Sequence, residues 1–224
     1  MIGPAQKYLD LHTHHAVAGP DIFALQSCLM PAIPDTGFFT AGLHPKDAEQ
    51  FEIKDFEATW NDPRCLAVGE CGMDRRYPDL PRQSALFRAQ AQQAEILHKP
   101  LLIHSVRTHE EICRAAKDLA PTIPWIMHGF RGKERTLFSL LDAGFLISFG
   151  AGLLKDAGNL EPFFSRIPAD RLFFETDDDP STDIRAIYAL AASMRGVPVD
   201  ELCAAVQANF RRHVNCWSRF KSIP

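Results

Sequence analysis

The chain has 224 residues, 46% of them hydrophobic and 23% charged, with a formal net charge of -4. That length suits one domain over residues 1–224, and the composition suits a soluble protein with a real core. The acidic balance argues against a protein that coats duplex nucleic acid, though not against an enzyme that handles a nucleic-acid end beside bound cations, and no run approaches the ~20 apolar residues of a membrane span.

Alternating apolar and polar residues from Tyr8 to Leu11 predict a short strand that ends in His12-Thr13-His14. Strand side chains two apart share a face, so both imidazoles point the same way and could reach one metal ion. Second and third strands are expected at Asp21 to Leu29 and at Gly37 to Leu43, the latter running into His44-Pro45, with a short helix from Ile53 to Trp60. From there the pattern becomes regular. Leu66 to Gly69 reads as a strand with Glu70 at its carboxyl end, and Gln83 to Leu97 as a helix that Pro100 terminates. Leu101-Leu102-Ile103 delivers His104, and Thr108 and Glu111 form a capping box for a helix with an Ile112, Ala115, Ala116 and Leu119 stripe. Trp125-Ile126-Met127 delivers His128, and the next helix carries Leu137, Leu140 and Leu141 inward and stops at Gly144. Phe145 to Phe149 is a strand, Leu160 to Ile167 a weaker helical piece, and Leu172-Phe173-Phe174 a strand leading to Glu175-Thr176-Asp177. Helices from Ile184 to Arg195 and from Pro198 to about Val214 follow, with Pro198 in a first turn.

Eight short apolar strands, alternating with amphipathic helices from the fourth onward, predict an α/β fold, a (β/α)8 TIM barrel. The connections from His14 to Asp21 and from Leu29 to Gly37 are too short for full helices, so the first helices are shortened or missing. Strands on that trimmed side need a cover, either the apolar tail with Trp217 and Phe220 or a partner subunit in a homo-oligomer.

Barrel enzymes place their chemistry at the carboxyl ends of the strands. His12, His14, His44, Glu70, His104, His128 and Asp177 all fall there. Each alone has a plainer account: a hydrogen-bonded rim histidine, a glutamate capping a loop, an aspartate in a solvated acidic loop. Independent rim residues need not gather at one end of several strands, and together these imidazoles and carboxylates are what a hydrolytic metal centre requires. His98, His109 and His213 read as surface or helix residues, and His15, facing opposite to His14, as outside the site. The cysteines form no Cys-x-x-Cys pair, and Met1 to Lys7 holds no apolar run of signal-peptide length. A cytoplasmic protein with reduced cysteines and no membrane contact is expected.

The motifs His12-Thr13-His14, Gly42-Leu43-His44-Pro45, Gly69-Glu70-Cys71-Gly72-Met73-Asp74, Ile103-His104-Ser105, His128-Gly129-Phe130-Arg131-Gly132 and Phe174-Glu175-Thr176-Asp177 occur in that order. Together they resemble the TatD family of metal-dependent, deoxyribonuclease-like hydrolases, and the resemblance runs on to Ala208-Asn209-Phe210. It implies two divalent metal ions (Zn, Mn or Mg), with Glu70 bridging them, His12, His14 and Asp177 around one, and His104 and His128 around the other. It implies that Glu70 and Asp177 are the catalytic residues, Asp177 orienting or deprotonating a metal-activated water. His44, Asp74 and Arg107 would support the site or contact substrate. Arg131 and Lys133 would hold a phosphate, or else belong to an ordinary solvated loop.

Two departures bear on the substrate. Family members usually follow Glu-Thr-Asp with a small residue, a proline and an aromatic-leucine pair, whereas here Asp178-Asp179-Pro180-Ser181 follows. Val106 also separates Ser105 from Arg107. The leading expectation is cleavage of phosphodiester bonds at single-stranded or frayed DNA ends. The acidic loop points instead to a small phosphate, carboxylic ester or amide substrate. A non-catalytic metal-binding scaffold is the third reading.

Overall fold

The computed structural model describes residues 7–15, 19–28 and 33–214. Eight parallel strands pair in sequence order: β1 (Tyr8–Thr13), β2 (Ile22–Cys28), β3 (Phe39–Ala41), β4 (Cys65–Asp74), β5 (Leu101–Val106), β6 (Trp125–Met127), β7 (Leu146–Phe149) and β8 (Leu172–Phe174). Every residue of β3, β4, β6, β7 and β8 is buried. Strands covered on both faces carry continuous apolar runs rather than an alternation. β1 and β8 meet through an isolated bridge between Thr13 and Asp177, flanked by His14 N–H to Asp177 O at 3.0 Å and Asp177 N–H to His12 O at 2.9 Å. The sheet is thus a nearly closed barrel.

The helices are α1 (Glu57–Asn61), α2 (Leu80–Leu97), α3 (His109–Leu119), α4 (Glu134–Asp142), α5 (Ala151–Lys155), α6 (Ala157–Phe164), α7 (Ile184–Arg195) and α8 (Val199–His213). Several differ from their sequence expectations for identifiable reasons. The first turn expected at Ile53 is a 3-10 turn over Ile53–Phe56 that leads into α1. α2 starts a turn early because the Asp79 side chain accepts from Arg82 N–H and caps it. The expected capping box of α3 does not form. Thr108 Oγ1 donates to Met73 O at 2.7 Å, and Glu111 pairs with Arg75, so partners distant in sequence take both side chains. In α4, Leu137 and Leu140 are buried but Leu141 is half-buried. The weak piece expected at Leu160 to Ile167 is the end of α6, and Pro198 caps α8 in extended backbone instead of entering its first turn.

Among the described residues no helix follows β1 or β2, as expected for a trimmed barrel. The last two helices help to cover that side. Tyr188 of α7 donates its hydroxyl to Leu9 O at 3.0 Å and meets Tyr8 edge-on at 5.3 Å, while Phe210 of α8 meets Phe23 of β2 at 5.4 Å. Trp217 and Phe220, expected in this role, lie outside the described residues.

Glu70 is not at a strand end, as the sequence suggests, but inside β4, whose pairing slips there. Val68 opposes Leu101 while Cys71 opposes Ile103, so one extra residue is taken up around Gly69 and Glu70. Such a bulge re-aims a side chain. Gly69 sits at φ +133°, and a Cβ on it would lie 2.3 Å from Leu102 O. Only glycine fits. Gly69→Ala is expected to destabilise the fold by roughly 2–5 kcal/mol, combining backbone strain with overpacking, and the measurement is the midpoint of urea unfolding followed by circular dichroism.

Candidate metal centre

A second slip re-aims the end of β1, where Asp10 opposes Ala24 while Thr13 opposes Gln26. His12 falls within it and His14 just past the strand, yet both rings reach one carboxylate. His12 Nε2 and His14 Nε2 lie 3.4 and 3.3 Å from Glu70 Oε2, and 3.4 and 3.6 Å from Asp177 Oδ1. Across the same carboxylate, Glu70 Oε1 is 2.7 Å from His104 Nδ1 and 2.9 Å from His128 Nε2. The residues expected as ligands therefore converge, with one Glu70 oxygen turned to each half.

The donors suit a divalent cation. Bonds of about 2.0–2.2 Å in a tetrahedral shell place neighbouring donor atoms about 3.3–3.6 Å apart. The separations among His12, His14, Glu70 and Asp177 fall in that range. His12 is fully buried, and neither of its ring nitrogens has a hydrogen-bond partner among the described residues. Such a ring is costly unless something else uses its lone pair. The His104–His128 half is tighter, with donors at hydrogen-bonding contact.

Electrostatics keep the carboxylates charged. Burial opposes the Glu70 anion, but His128, His104 and His12 hold its carboxyl well below the usual range. Burial also works against Asp177, yet His12 and His128 bring it down to about 2. Both are anionic at neutral pH, as cation ligands must be. His44 stands beside them, its Nε2 3.6 Å from Glu70 Oε1, and burial lowers its ring to about 3. Its Nδ1 accepts Lys46 N–H at 3.0 Å, so the neutral ring carries its proton on Nε2 and faces Glu70 as a donor rather than a ligand.

Behind these residues stand more buried acids. Asp74 Oδ2 meets His104 Nε2 at 2.9 Å and accepts from Arg76 Nη2 at 2.6 Å. Asp74 is fully buried behind His104 and is not among the residues that line the cavity. His128 turns Nδ1 to Glu175 Oε1 at 3.2 Å. Asp10 accepts Thr176 N–H at 3.0 Å and Thr176 Oγ1–H at 2.7 Å, fastening the Asp177 segment to β1, and burial pushes it up to about 7. Sequence reasoning assigned neither Glu175 nor Asp10 a role. The available signal was position: each is an acid two residues before a metal-site residue.

The cluster lies in a cavity of about 1020 Å³ whose walls include Lys46, Arg76, Arg107, Arg131, Lys133 and Asp178. Arg76 is paired with Asp74, and Arg131 with Asp156 at 2.9 Å. Lys46, Arg107 and Lys133 have no carboxylate partner among the described residues. Asp178 faces the cavity, whereas Asp179 is drawn to Lys155 at 3.3 Å and to Ser181 N–H at 3.1 Å. His15 is apart from the cluster, its Nε2 2.8 Å from Asp178 O, and His109 begins α3 on the cavity wall.

Known proteins share this arrangement of chain. The sequence matches the family described as TatD related DNase over residues 23–215. It is 31% identical over 157 residues to the "3'-5' ssDNA/RNA exonuclease TatD" of Edwardsiella piscicida, which covers 66% of this chain and only 60% of that relative. It is 28% identical over 208 residues to the "Uncharacterized metal-dependent hydrolase YcfH" of Escherichia coli K12, covering 84% of this chain and 78% of the relative. The crystal structure of YJJV, a TatD homolog from Escherichia coli K12, shares the fold with a TM-score of 0.80 at 19% identity, covering 93% of this chain and 98% of that one. With most of its length matched, the chain belongs to the TatD related DNase family.

Proposed function

We propose that this TatD-type metal-dependent hydrolase cleaves phosphodiester bonds at single-stranded or frayed DNA ends, using two divalent ions. The observation that carries the reading is the Glu70 carboxylate, shared between two histidine pairs in a cavity whose walls include Lys46, Arg107 and Lys133, cations with no carboxylate partner among the described residues. His12, His14 and Asp177 would hold one ion, His104 and His128 the other, and Glu70 both. A mixed imidazole and carboxylate set suits Zn or Mn and tolerates Mg. Bound ions would supply Lewis acidity and lower the pKa of a water molecule.

The chain's own residues do the rest. Asp177, with its side chain 34% exposed, is reachable from the cavity and is the base that takes the proton of the attacking water. His44 Nε2–H is a donor for a phosphoryl oxygen. Lys46, Arg107 and Lys133 hold the phosphates of the strand, while Arg131 is engaged by Asp156. The names of the exonuclease relatives support a nucleic-acid substrate. The free cysteines among the described residues suit the cytoplasm, and no helix among those residues is long and apolar enough to cross a membrane.

Chelator-stripped protein is expected to leave end-labelled single-stranded DNA intact and to recover on adding Mn²⁺, Mg²⁺ or Zn²⁺. Glu70→Ala should lose activity by at least about 10²–10³-fold together with bound metal, measured by elemental analysis. Cleavage that survives this change would mark a contaminant. Arg107→Ala and Lys133→Ala should each raise KM with kcat retained, and flatten the dependence of log affinity on log salt by about 0.7. Asp178 at the cavity wall favours one other outcome. Turnover of chromogenic phosphate monoesters with DNA untouched would replace the nuclease reading with a small phosphoester substrate.

A further inference from the structure

His104 and His128 face Glu70 through different ring nitrogens, Nδ1 and Nε2 respectively. The remaining nitrogen of each meets a buried carboxylate, His104 Nε2 at Asp74 and His128 Nδ1 at Glu175. Those two acids differ in their company. The Arg76 guanidinium also holds Asp74 and disperses its charge. Glu175 is fully buried and has no cationic side chain of lysine or arginine in hydrogen-bonding contact among the described residues. Its Oε1 accepts Gly129 N–H at 2.5 Å and lies 3.2 Å from His128 Nδ1, while its Oε2 has no hydrogen-bond partner among those residues.

One oxygen thus grips both the ring of His128 and the backbone immediately after it. That grip sets where the ring sits and how it is turned. An oxygen that accepts the Gly129 N–H meets Nδ1 as an acceptor too, so Nδ1 carries a proton and Nε2 is the nitrogen turned to Glu70 Oε1 and to any ion held there. A buried carboxyl oxygen without a partner is expensive to maintain. Here the one side chain it meets among the described residues is the His128 imidazole. Glu175 is absent from the walls of the cavity and meets the site through the His128 ring and the Gly129 amide.

We propose that Glu175 is the positioning residue of His128, holding the ring in the Nδ1–H tautomer and raising the basicity of Nε2 toward the ion of that half. The inference rests on the metal reading given above. Carboxylates behind metal-bound histidines commonly change metal affinity by about 10–100-fold.

The test is calorimetric titration of Zn²⁺ into chelator-stripped, full-length protein. Wild type is expected to show two binding events. Glu175→Ala should weaken one of them about 10–100-fold and leave the other unchanged. Glu175→Gln keeps an oxygen for both Gly129 N–H and Nδ1–H, so it should recover much of the affinity. Long-range ¹H–¹⁵N spectra of the zinc-loaded protein should show His128 protonated at Nδ1 in wild type and Glu175→Gln, and mixed in Glu175→Ala. Unchanged affinities in Glu175→Ala would overturn the proposal. So would equal weakening of both events with a lowered Tm, the signature of a merely structural role. Two ions bound by a wild type that leaves DNA intact would sink the nuclease reading alone and leave the role of Glu175 standing.

Discussion

Two pairs of imidazoles at one end of a barrel would repel when protonated and lack partners when neutral, were the Glu70 carboxylate not set between them with one oxygen toward each pair. The backbone places it there. β4 carries an extra residue opposite β5, and the chain can make that bulge only because Gly69 has no side chain to meet Leu102 O. Glu70 therefore leaves the middle of a wholly buried strand and reaches the cavity. The metal chemistry thus depends on a local defect in an otherwise regular sheet.

The closure of the barrel is tied to the same site. Asp177 supplies the backbone contacts that join β8 to β1, and its carboxylate faces His12 and His14. Asp10 reinforces the seam by accepting both the amide and the hydroxyl of Thr176. Any loosening of the β1–β8 seam would move a carboxylate away from the imidazoles it serves. Fold stability and site geometry share these contacts, and α7 and α8 pack against the seam from outside, with Tyr188 against both Tyr8 of β1 and Phe174 of β8.

Charge is arranged in layers outward from Glu70. Anions at the centre hold imidazoles, buried Asp74 and Glu175 anchor the far side of two of those rings, and Lys46, Arg107 and Lys133 stand at the walls. The acidic loop is less hostile to a polyanion than its composition implies. Lys155 and Ser181 draw Asp179 aside, which leaves Asp178 alone to oppose the cations around it.

The barrel and the principal donors were legible in the sequence because both depend on local pattern. Buried parallel strands read as apolar runs, and polar groups that follow such runs at one barrel end stand out wherever they occur. Two of the places where the reading failed involve partners far away along the chain. Thr108 abandons its helix cap for Met73 O, and the bulge at Glu70 is visible only in the pairing of β4 with β5. Glu175 likewise passes for a strand-end acid until His128 is seen beside it, whereas the tautomer of His44 is set locally by the Lys46 amide. Residue order alone determined the eight strands, the trimmed side and the histidines and acids of His12-Thr13-His14, Glu70, His104, His128 and Asp177. Tertiary structure alone decided which nitrogen each ring turns inward and which carboxylate stands behind it, because hydrogen-bond direction depends on neighbours that only the closed barrel brings together.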